Sequence, residues 1–419
     1  MNQLTQKPIV VLKFGGTSVA TEAGRGALCA RVREQRAAGK AVVVVVSAMG
    51  RRGDPYATDT LLELAEKGSL IPADRDLIAS CGEVISAVVV ASRLRACGVD
   101  AEALTGAAAG ILTDENFSDA TIQSVMTAPV LARCERDCVA VVCGFQGLAP
   151  SGRLCTLGRG GSDTTASALG AALGAEAVVI YTDVDGVMTA DPRAVPAAAV
   201  IDTIRADELF QMAQCGSKVV HMPAAELALA SGVSLLVKNT YSEHPGTRVE
   251  QDIALFRPGA LATAVASTSD VARFCVDLGD CEGADCHLRA QAEIYRRLAA
   301  ASISLDMFTP AGENLYFTVK RASSDPVEAV LRELGLSFLR QGGLAMATVI
   351  GAGMHGVPGV MATVATALER AGIDIFQVAD SHTTISVLIS GEHETAAVRA
   401  LHAAFGLGAD PLPAGEPHA

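Results

Sequence analysis

Ile9-Val10-Val11-Leu12-Lys13-Phe14-Gly15-Gly16-Thr17-Ser18 is a short apolar run that ends in a lysine and a glycine turn. A charged, alanine-rich stretch with helical texture follows from about Glu22 to Gly39, and Ala41–Ser47 is again an apolar run of strand length. Strand, glycine loop, helix and strand in that order open an α/β unit with a parallel sheet. Further along, Thr58–Arg95 is helical in period with a break near Ile71-Pro72. Val139–Gly144 and Ala177–Thr182 read as strands around a helix at about Ser162–Leu173. Helices at Arg205–Gln214 and Pro223–Ser231 precede a strand at Ser234–Val237. The spacing therefore predicts one alternating α/β domain over residues 1–248.

The texture changes after His244-Pro245-Gly246. Two later segments, Leu288–Phe308 and Pro358–Val378, share a pattern of an Ala/Leu helix followed by an Ile-x-apolar strand, and their isoleucines, Ile303 and Ile373, lie 70 residues apart. That period suits two copies of a small βαββαβ domain, expected at 262–340 and 341–408. The Pro/Gly-rich stretch 409–419 reads as a flexible tail. A chain of 419 residues is long enough for two or three such cores, and half of it is apolar.

Charge and cysteine usage exclude several function classes. The net charge is −13 and no basic stripe appears, which argues against a nucleic-acid or anionic-membrane partner. The N-terminal apolar run is too short for a signal peptide, and no stretch of 18 or more charge-free apolar residues suggests a membrane span. The eleven cysteines contain no C-x-x-C pair. Cys275, Cys281 and Cys286 beside His287 allow a metal site, but reduced, mostly buried thiols of a cytoplasmic protein fit better.

Three motifs carry chemistry. Lys13, Gly15 and Gly16 bring an ammonium and backbone N–H groups to one point, where they can hold a phosphate oxygen or simply turn a strand into a helix. The P-loop spacing is absent. In Leu157-Gly158-Arg159-Gly160-Gly161-Ser162-Asp163-Thr164-Thr165, Ser162 or Asp163 suits a helix N-cap, and Arg159 stands in the glycine loop with a fork able to grip a carboxylate. In Tyr181-Thr182-Asp183-Val184-Asp185-Gly186-Val187-Met188-Thr189-Ala190-Asp191-Pro192-Arg193 a strand ends in an acidic turn, at the carboxyl edge where open α/β sheets bind ligands. There Asp183 can accept from a ribose or adenine group and Arg193 can meet a phosphate. Gly82-Glu83 is read at a helix start, offering a carboxylate to a substrate ammonium. Lys218 in Gly216-Ser217-Lys218 is a second candidate phosphate clamp.

KFGGTS, SAMG, CGE, GFQG, TLGRGGSDTTA, TDVDGVMTADPR and GSKV occur in this order. Together they resemble the aspartokinases of the amino-acid kinase superfamily, from about residue 8 to residue 405. The finer resemblance is to the monofunctional, diaminopimelate-sensitive type of spore-forming bacilli, through Arg51–Thr60, the methionine of GVMTADPR and ADSHTT near the end. It implies an amino-acid-kinase-like α/β sandwich with a mainly parallel sheet, followed by two ACT-like regulatory domains. It also implies ATP and Mg2+ as cofactors, L-aspartate as substrate, an amino-acid effector (diaminopimelate or lysine), and a homo-oligomer formed through the ACT domains.

Residue by residue, the resemblance makes Lys13, Asp163 and Lys218 catalytic. Ser47, Thr60, Glu83, Arg159, Gly160, Gly161 and Ser162 would bind the substrate, with Arg159 on the α-carboxylate and Glu83 on the α-ammonium. Lys13, Phe14, Gly15, Gly16, Ser47, Thr182, Asp183, Met188, Arg193 and Lys218 would bind the nucleotide, although many relatives have tyrosine where Met188 stands. In the second ACT-like copy, Met354, Val357, Pro358, Gly359, Val360, Asp374, Ile375, Ser381 and His382 would hold the effector, with Pro358 at the first helical position. The first copy departs from the pattern at Asp277–Cys286, where a Pro-Gly turn is usual. The competing readings are a kinase of the same superfamily acting on glutamate, N-acetylglutamate or a nucleotide, and a catalytically silent amino-acid sensor. The length leaves no room for a fused dehydrogenase.

Overall fold

The computed structural model describes residues 7–66, 68–216, 222–251, 261–279, 284–354 and 356–408. The chain divides into two bodies. The first contains β1 (Ile9–Phe14), α1 (Gly16–Ala20), α2 (Glu22–Ala37), β2 (Ala41–Val46), α3 (Thr58–Leu62) and α4 (Pro72–Ala96). Next come β3 (Ala101–Leu104), β4 (Ile111–Thr113), β5 (Ile122–Val125), α5 (Ala128–Glu135), β6 (Val139–Cys143), β7 (Gln146–Leu148) and β8 (Leu154–Thr156). Then α6 (Gly161–Leu173), β9 (Ala177–Thr182), β10 (Thr203–Arg205), α7 (Ala206–Gln214), α8 (Met222–Ala230), β11 (Ser234–Asn239) and β12 (Thr247–Glu250) follow.

Eight of these strands form one sheet in the order β10-β12-β11-β9-β1-β2-β6-β3. Every neighbour pair in it is parallel except β11 with β12. Helices cover both faces, so the central strands are buried on both sides and read as unbroken apolar runs. β2, Ala41–Val46, is buried at every residue. Its valines pack with Leu12, Phe14, Val141 and, from α4, Ala87, Val90 and Leu94. Lys13 is the one charge on β1, in register with Val45 and Ile180 near the strand's carboxyl end. A smaller sheet, β5-β4-β7-β8, stands beside the main one.

α4 is long and apolar enough to cross a membrane by length and composition, which run-length counting missed because Asp76 and Glu83 interrupt it. Half of its apolar window is nevertheless buried, against the sheet of its own body. Glu83 lies in the middle of this helix rather than at a helix start, because α4 runs without interruption from Pro72.

The second body is built from β13 (Ala264–Asp277), α9 (Ala284–Ala300), β14 (Phe308–Ala311), β15 (Asn314–Lys320), α10 (Ser324–Glu333) and β16 (Phe338–Ile350). It ends with α11 (Val360–Arg370), β17 (Gln377–Asp380), β18 (Thr384–Ser390) and α12 (Glu394–Ala404). Its sheet runs β14-β15-β13-β16-β18-β17. Two βαββαβ units are present, but they are interleaved. β13 pairs with β15 from Val271 onward, while its first residues, Ala264–Thr268, pair only with the far end of β16, whose Leu344–Ile350 also pairs β18. The start of β13 therefore supplies the fourth strand of the second unit, so a cut between residues 340 and 341 falls inside β16 and does not separate the two units. A register shift between Thr268 and Val271, with Asp270 at φ 60, marks the change of unit. Ile303 and Ile373 lie in the turns after α9 and α11 and pack into the two cores; the strands begin later, at Phe308 and Gln377.

Two stretches placed by sequence in the first domain belong to the second body, the longer of them Met188–Ala199. Met188–Ala199 leaves the α/β fold and rejoins it at Val200, where Ile201 N donates to Val187 O at 2.8 Å. Within the second body Ala190 and Val195 join the core of β16, α11 and α12. Thr189 is fixed by Val265 N donating to its carbonyl at 2.8 Å and by a 2.9 Å hydrogen bond between its hydroxyl and the buried His402 Nε2.

Candidate active site

The first body has a cleft of about 630 Å³, a size suited to small ligands. It is built from four pieces of chain. The carboxyl ends of β1 and β2 supply Lys13, Gly16, Ser47 and Ala48, and the turn and short helix after β2 supply Gly50, Arg51, Arg52, Thr58 and Asp59. α4 supplies Arg75, Asp76, Ala79 and Glu83 from one face, since residues three, four and seven apart superpose along a helix. The entry to α6 supplies Gly158–Asp163, with Ser118, Phe145 and Thr156 behind it.

Lys13 and Asp163, 150 residues apart in sequence, meet here. Lys13 Nζ lies 2.6 Å from Asp163 Oδ1, with both side chains only 12% exposed. α6 begins at Gly161, capped by Gly160 in the left-handed region at φ 71. Ser162 and Asp163 are therefore in the first turn and neither is the N-cap, because only the glycine tolerates that backbone. An acidic side chain in this first turn is favoured by the helix dipole. Asp163 thus holds the lysine ammonium at the helix entry. Gly158, at φ 68, also needs to be glycine: a Cβ there would stand 2.6 Å from Asp119 Oδ1. Arg159 projects into the cleft, exposed and without a hydrogen bond or ion pair among the described residues.

Glu83 is 2% exposed. Its Oε1 accepts from Ala48 N at 2.9 Å, and its Oε2 is buried without a partner. Burial pushes this carboxyl up from 4.5 to about 8, against a smaller downward pull from the Ala48 amide. The close approach that seats it requires glycine at position 82, where a Cβ would stand 2.6 Å from Ala48 Cβ. Asp76 is also buried, and accepts from Ser118 N, Ser118 Oγ and Thr156 N at 2.7–2.9 Å.

Several sequence-predicted residues fall elsewhere. Phe14 is wholly buried and stacks on Tyr181 at 4.6 Å, so its side chain belongs to the core. Thr60 Oγ1 accepts from Gly53 N at 3.0 Å and is turned to that loop; its neighbours Thr58 and Asp59 line the cleft instead. Gly15 precedes the lining residue Gly16, which is held to glycine by Ala48 O at 2.5 Å from the Cβ position. Thr182 ends β9 and Asp183 follows it, both outside the cleft lining, although Asp183 pairs with the lining residue Arg51 at 3.1 Å. Met188 and Arg193 lie in the second body, where Arg193 is exposed and paired with Asp191. Lys218 lies outside the described residues, as does Cys281. Arg51, Arg52, Arg75, Asp76 and Ser118 were missed as site residues. Asp76 stands seven residues before Glu83, a two-turn helical spacing that would have revealed it had Glu83 been read as mid-helix.

In the second ACT-like unit, Met354 and Val360 are core residues, while Val357 is exposed. α11 begins at Val360 and is capped by Gly359 at φ 92, so Pro358 precedes the cap rather than standing at the first helical position. Gly351 N donates to Thr383 O at 2.9 Å, tying the start of the Met354–Val360 turn to the Ser381-His382 turn. Asp374 and Ile375 stand just before β17.

Comparison with known proteins gives a consistent answer. The family model described as the amino acid kinase family matches residues 8–239, and an ACT domain model matches residues 340–403. Over 408 residues the chain is 40% identical to aspartokinase 1 of Bacillus subtilis, covering 95% of this chain and 99% of that one. Among solved structures it resembles E. coli aspartokinase III in complex with aspartate and ADP, with TM-score 0.76 and 26% identity over 94% of this chain and 99% of that one. The same enzyme in complex with lysine and aspartate gives TM-score 0.73 at the same identity and coverage.

Proposed function

The chain belongs to the aspartokinases of the amino acid kinase family, and from that premise we propose that the cleft between α4 and the Gly158–Asp163 loop is where L-aspartate meets the γ-phosphoryl group of ATP. The reaction transfers that group to the side-chain carboxylate and gives 4-phospho-L-aspartate, the first step toward diaminopimelate and lysine, threonine and methionine. The observation that carries the site is the Lys13–Asp163 pair at 2.6 Å.

The nucleophile is the substrate's own carboxylate, ionised at neutral pH with a free pKa of about 4, so no strong general base is needed. The protein supplies alignment and charge neutralisation. Lys13 places an ammonium beside the transferring phosphoryl oxygens, and Asp163 fixes its position. Lys218 is assigned the same task on family resemblance. Arg159, unpaired in the cleft, takes the α-carboxylate. The partnerless Oε2 of Glu83 takes the α-ammonium, and Ser47, Gly160, Gly161 and Ser162 complete the wall. Thr182, Asp183, Met188 and Arg193 are assigned to the nucleotide by family resemblance. Among the described residues no three His, Cys, Asp or Glu side chains form a metal cage. Mg2+, implied by the family resemblance, would arrive on the ATP phosphates and would offset charge on the phosphoryl oxygens there.

The ACT-like units support feedback by an amino-acid effector, diaminopimelate or lysine, at the Met354–Val360 and Ser381-His382 turns. Exposed Phe308 and Val378, on the two edge strands β14 and β17, support self-association through this body. Free cysteines, half of the described ones buried, support a cytoplasmic location.

Steady-state kinetics test the assignment. Lys13→Ala and Asp163→Ala are each expected to lower kcat about a hundredfold or more, the scale of one lost electrostatic contact. Arg159→Ala is expected chiefly to raise KM for aspartate. Near-parental kinetics in all three variants would overturn the site.

A further inference from the structure

We propose that Asp76 is a positioning residue that sets the place of Arg159 in the cleft and so governs affinity for the amino-acid substrate. The inference rests on the reading of Arg159 as the carboxylate ligand.

The geometry is a chain of contacts. Asp76 is 1% exposed, and its hydrogen bonds converge on two segments behind the glycine loop. Oδ2 accepts from Ser118 N at 2.9 Å and from Thr156 N at 2.7 Å, while Oδ1 accepts from Ser118 Oγ at 2.9 Å. Ser118 sits at φ 70, a left-handed backbone that a serine adopts only when its surroundings hold it there. The carboxylate does so by taking both its amide and its hydroxyl. Ala120 N donates to Thr156 O at 2.9 Å, which locks the same two segments to each other. Gly158 then packs directly on the strained turn: its Cβ position lies 2.6 Å from Asp119 Oδ1 and 3.3 Å from Ser118 O. Arg159 is the next residue, and it has no partner of its own to fix it. A displacement of the Ser118–Asp119 turn is therefore transmitted to Arg159.

Removing the carboxylate frees Ser118 to leave its strained backbone, and misplacement of about 1 Å costs up to about a hundredfold in substrate use. The test measures KM for aspartate, KM for ATP, kcat and Tm for Asp76→Asn and Asp76→Ala. Asp76→Asn keeps one acceptor oxygen and serves if the alanine variant does not fold. KM for aspartate is expected to rise about tenfold in Asp76→Asn and further in Asp76→Ala, with KM for ATP within about twofold of the parent. Ser118→Gly, which accepts φ 70 without strain, is expected to recover at least about threefold of that loss in the Asp76→Asn background. In an Arg159→Ala background Asp76→Asn should change KM for aspartate by less than about twofold, because residues acting as a unit are not additive. A lower Tm with unchanged KM for aspartate, or an undiminished effect of Asp76→Asn once Arg159 is gone, would overturn the proposal. An Arg159→Ala variant with parental KM would instead overturn the reading of Arg159 itself.

Discussion

Substrate affinity should depend on pH through Glu83. Its carboxyl is buried and pushed up to about 8, so at pH 7 only about a tenth of empty sites carry the charge an ammonium needs. No charged side chain contributes to that shift: its neighbours are the Cys143 thiol on β6, itself pushed up to about 12 and so neutral, and the dipole of the Ala48 amide. Ionised Glu83 and the ammonium attract; protonated Glu83 and the ammonium do not. The apparent KM for aspartate should then fall about tenfold between pH 7 and pH 9 and level off above, while below pH 7 it should climb about tenfold per unit. Free aspartate keeps its own ammonium through most of this range, so it adds little to the slope.

The same shift has a sign in stability. A carboxyl whose folded value is raised keeps its proton while the unfolded chain loses it. The ligand-free protein is therefore unaffected below pH 4.5 and loses stability as pH rises toward about 8. At pH 7 the two and a half units above the ordinary value, at about 1.4 kcal/mol each, bound the loss at about 3–4 kcal/mol. Glu83→Gln should accordingly flatten the pH profile of KM, raise KM at pH 8, and raise Tm of the ligand-free protein at neutral pH. Initial rates across pH 6–9 at saturating ATP, with thermal melts of both proteins, decide the matter. A parental KM that is flat with pH, or a Glu83→Gln variant that keeps the slope, would refute the reasoning.

Two further outcomes follow from the second body. His402 is buried and held below its ordinary value by desolvation, so folding should weaken as pH falls through 6.5; His402→Leu should remove that acid dependence of Tm while costing about 1 kcal/mol for the lost Thr189 bond. Activity titrated with diaminopimelate, lysine and threonine, singly and in pairs, should show inhibition by diaminopimelate or lysine. Asp374→Ala should shift the half-inhibitory concentration upward about tenfold, and indifference to all three amino acids would remove the effector assignment.

Much of the fold was legible because the central strands obey a simple rule. β1, β2, β6 and β9 are buried on both faces, so their sequences are unbroken apolar runs that cannot be mistaken for loops. The glycine loop before α6 was legible as a site, since three glycines around an arginine serve no purpose in a regular helix entry. What stayed hidden depended on contacts between distant segments. Asp76 and Glu83 look like ordinary charges on a long helix until the glycine loop and Ala48 are seen against them. Thr60 and Phe14 failed for the opposite reason: adjacency to a motif said nothing about which way each side chain turns.

The interleaved second body shows where a repeat period misleads. Two copies of a βαββαβ unit written one after the other would each close on their own strands. Here Ala264–Thr268, encoded at the start of the first copy, completes the second, so the second unit cannot form its four-stranded sheet from residues 341–408 alone. The same body recruits Met188–Ala199, which follows a strand of the α/β sheet in sequence and carries Thr189 against His402. The turn after β9 thus belongs to the first body up to Val187, while the Asp-Pro-Arg that follows takes its conformation from the core of the second. Any change in that core acts on the backbone of Met188–Ala199 by covalent continuity. A feedback ligand that stabilised one packing of α11 and α12 would bias this segment through Ala190, Val195 and Thr189, the residues that share its core and hydrogen bonds.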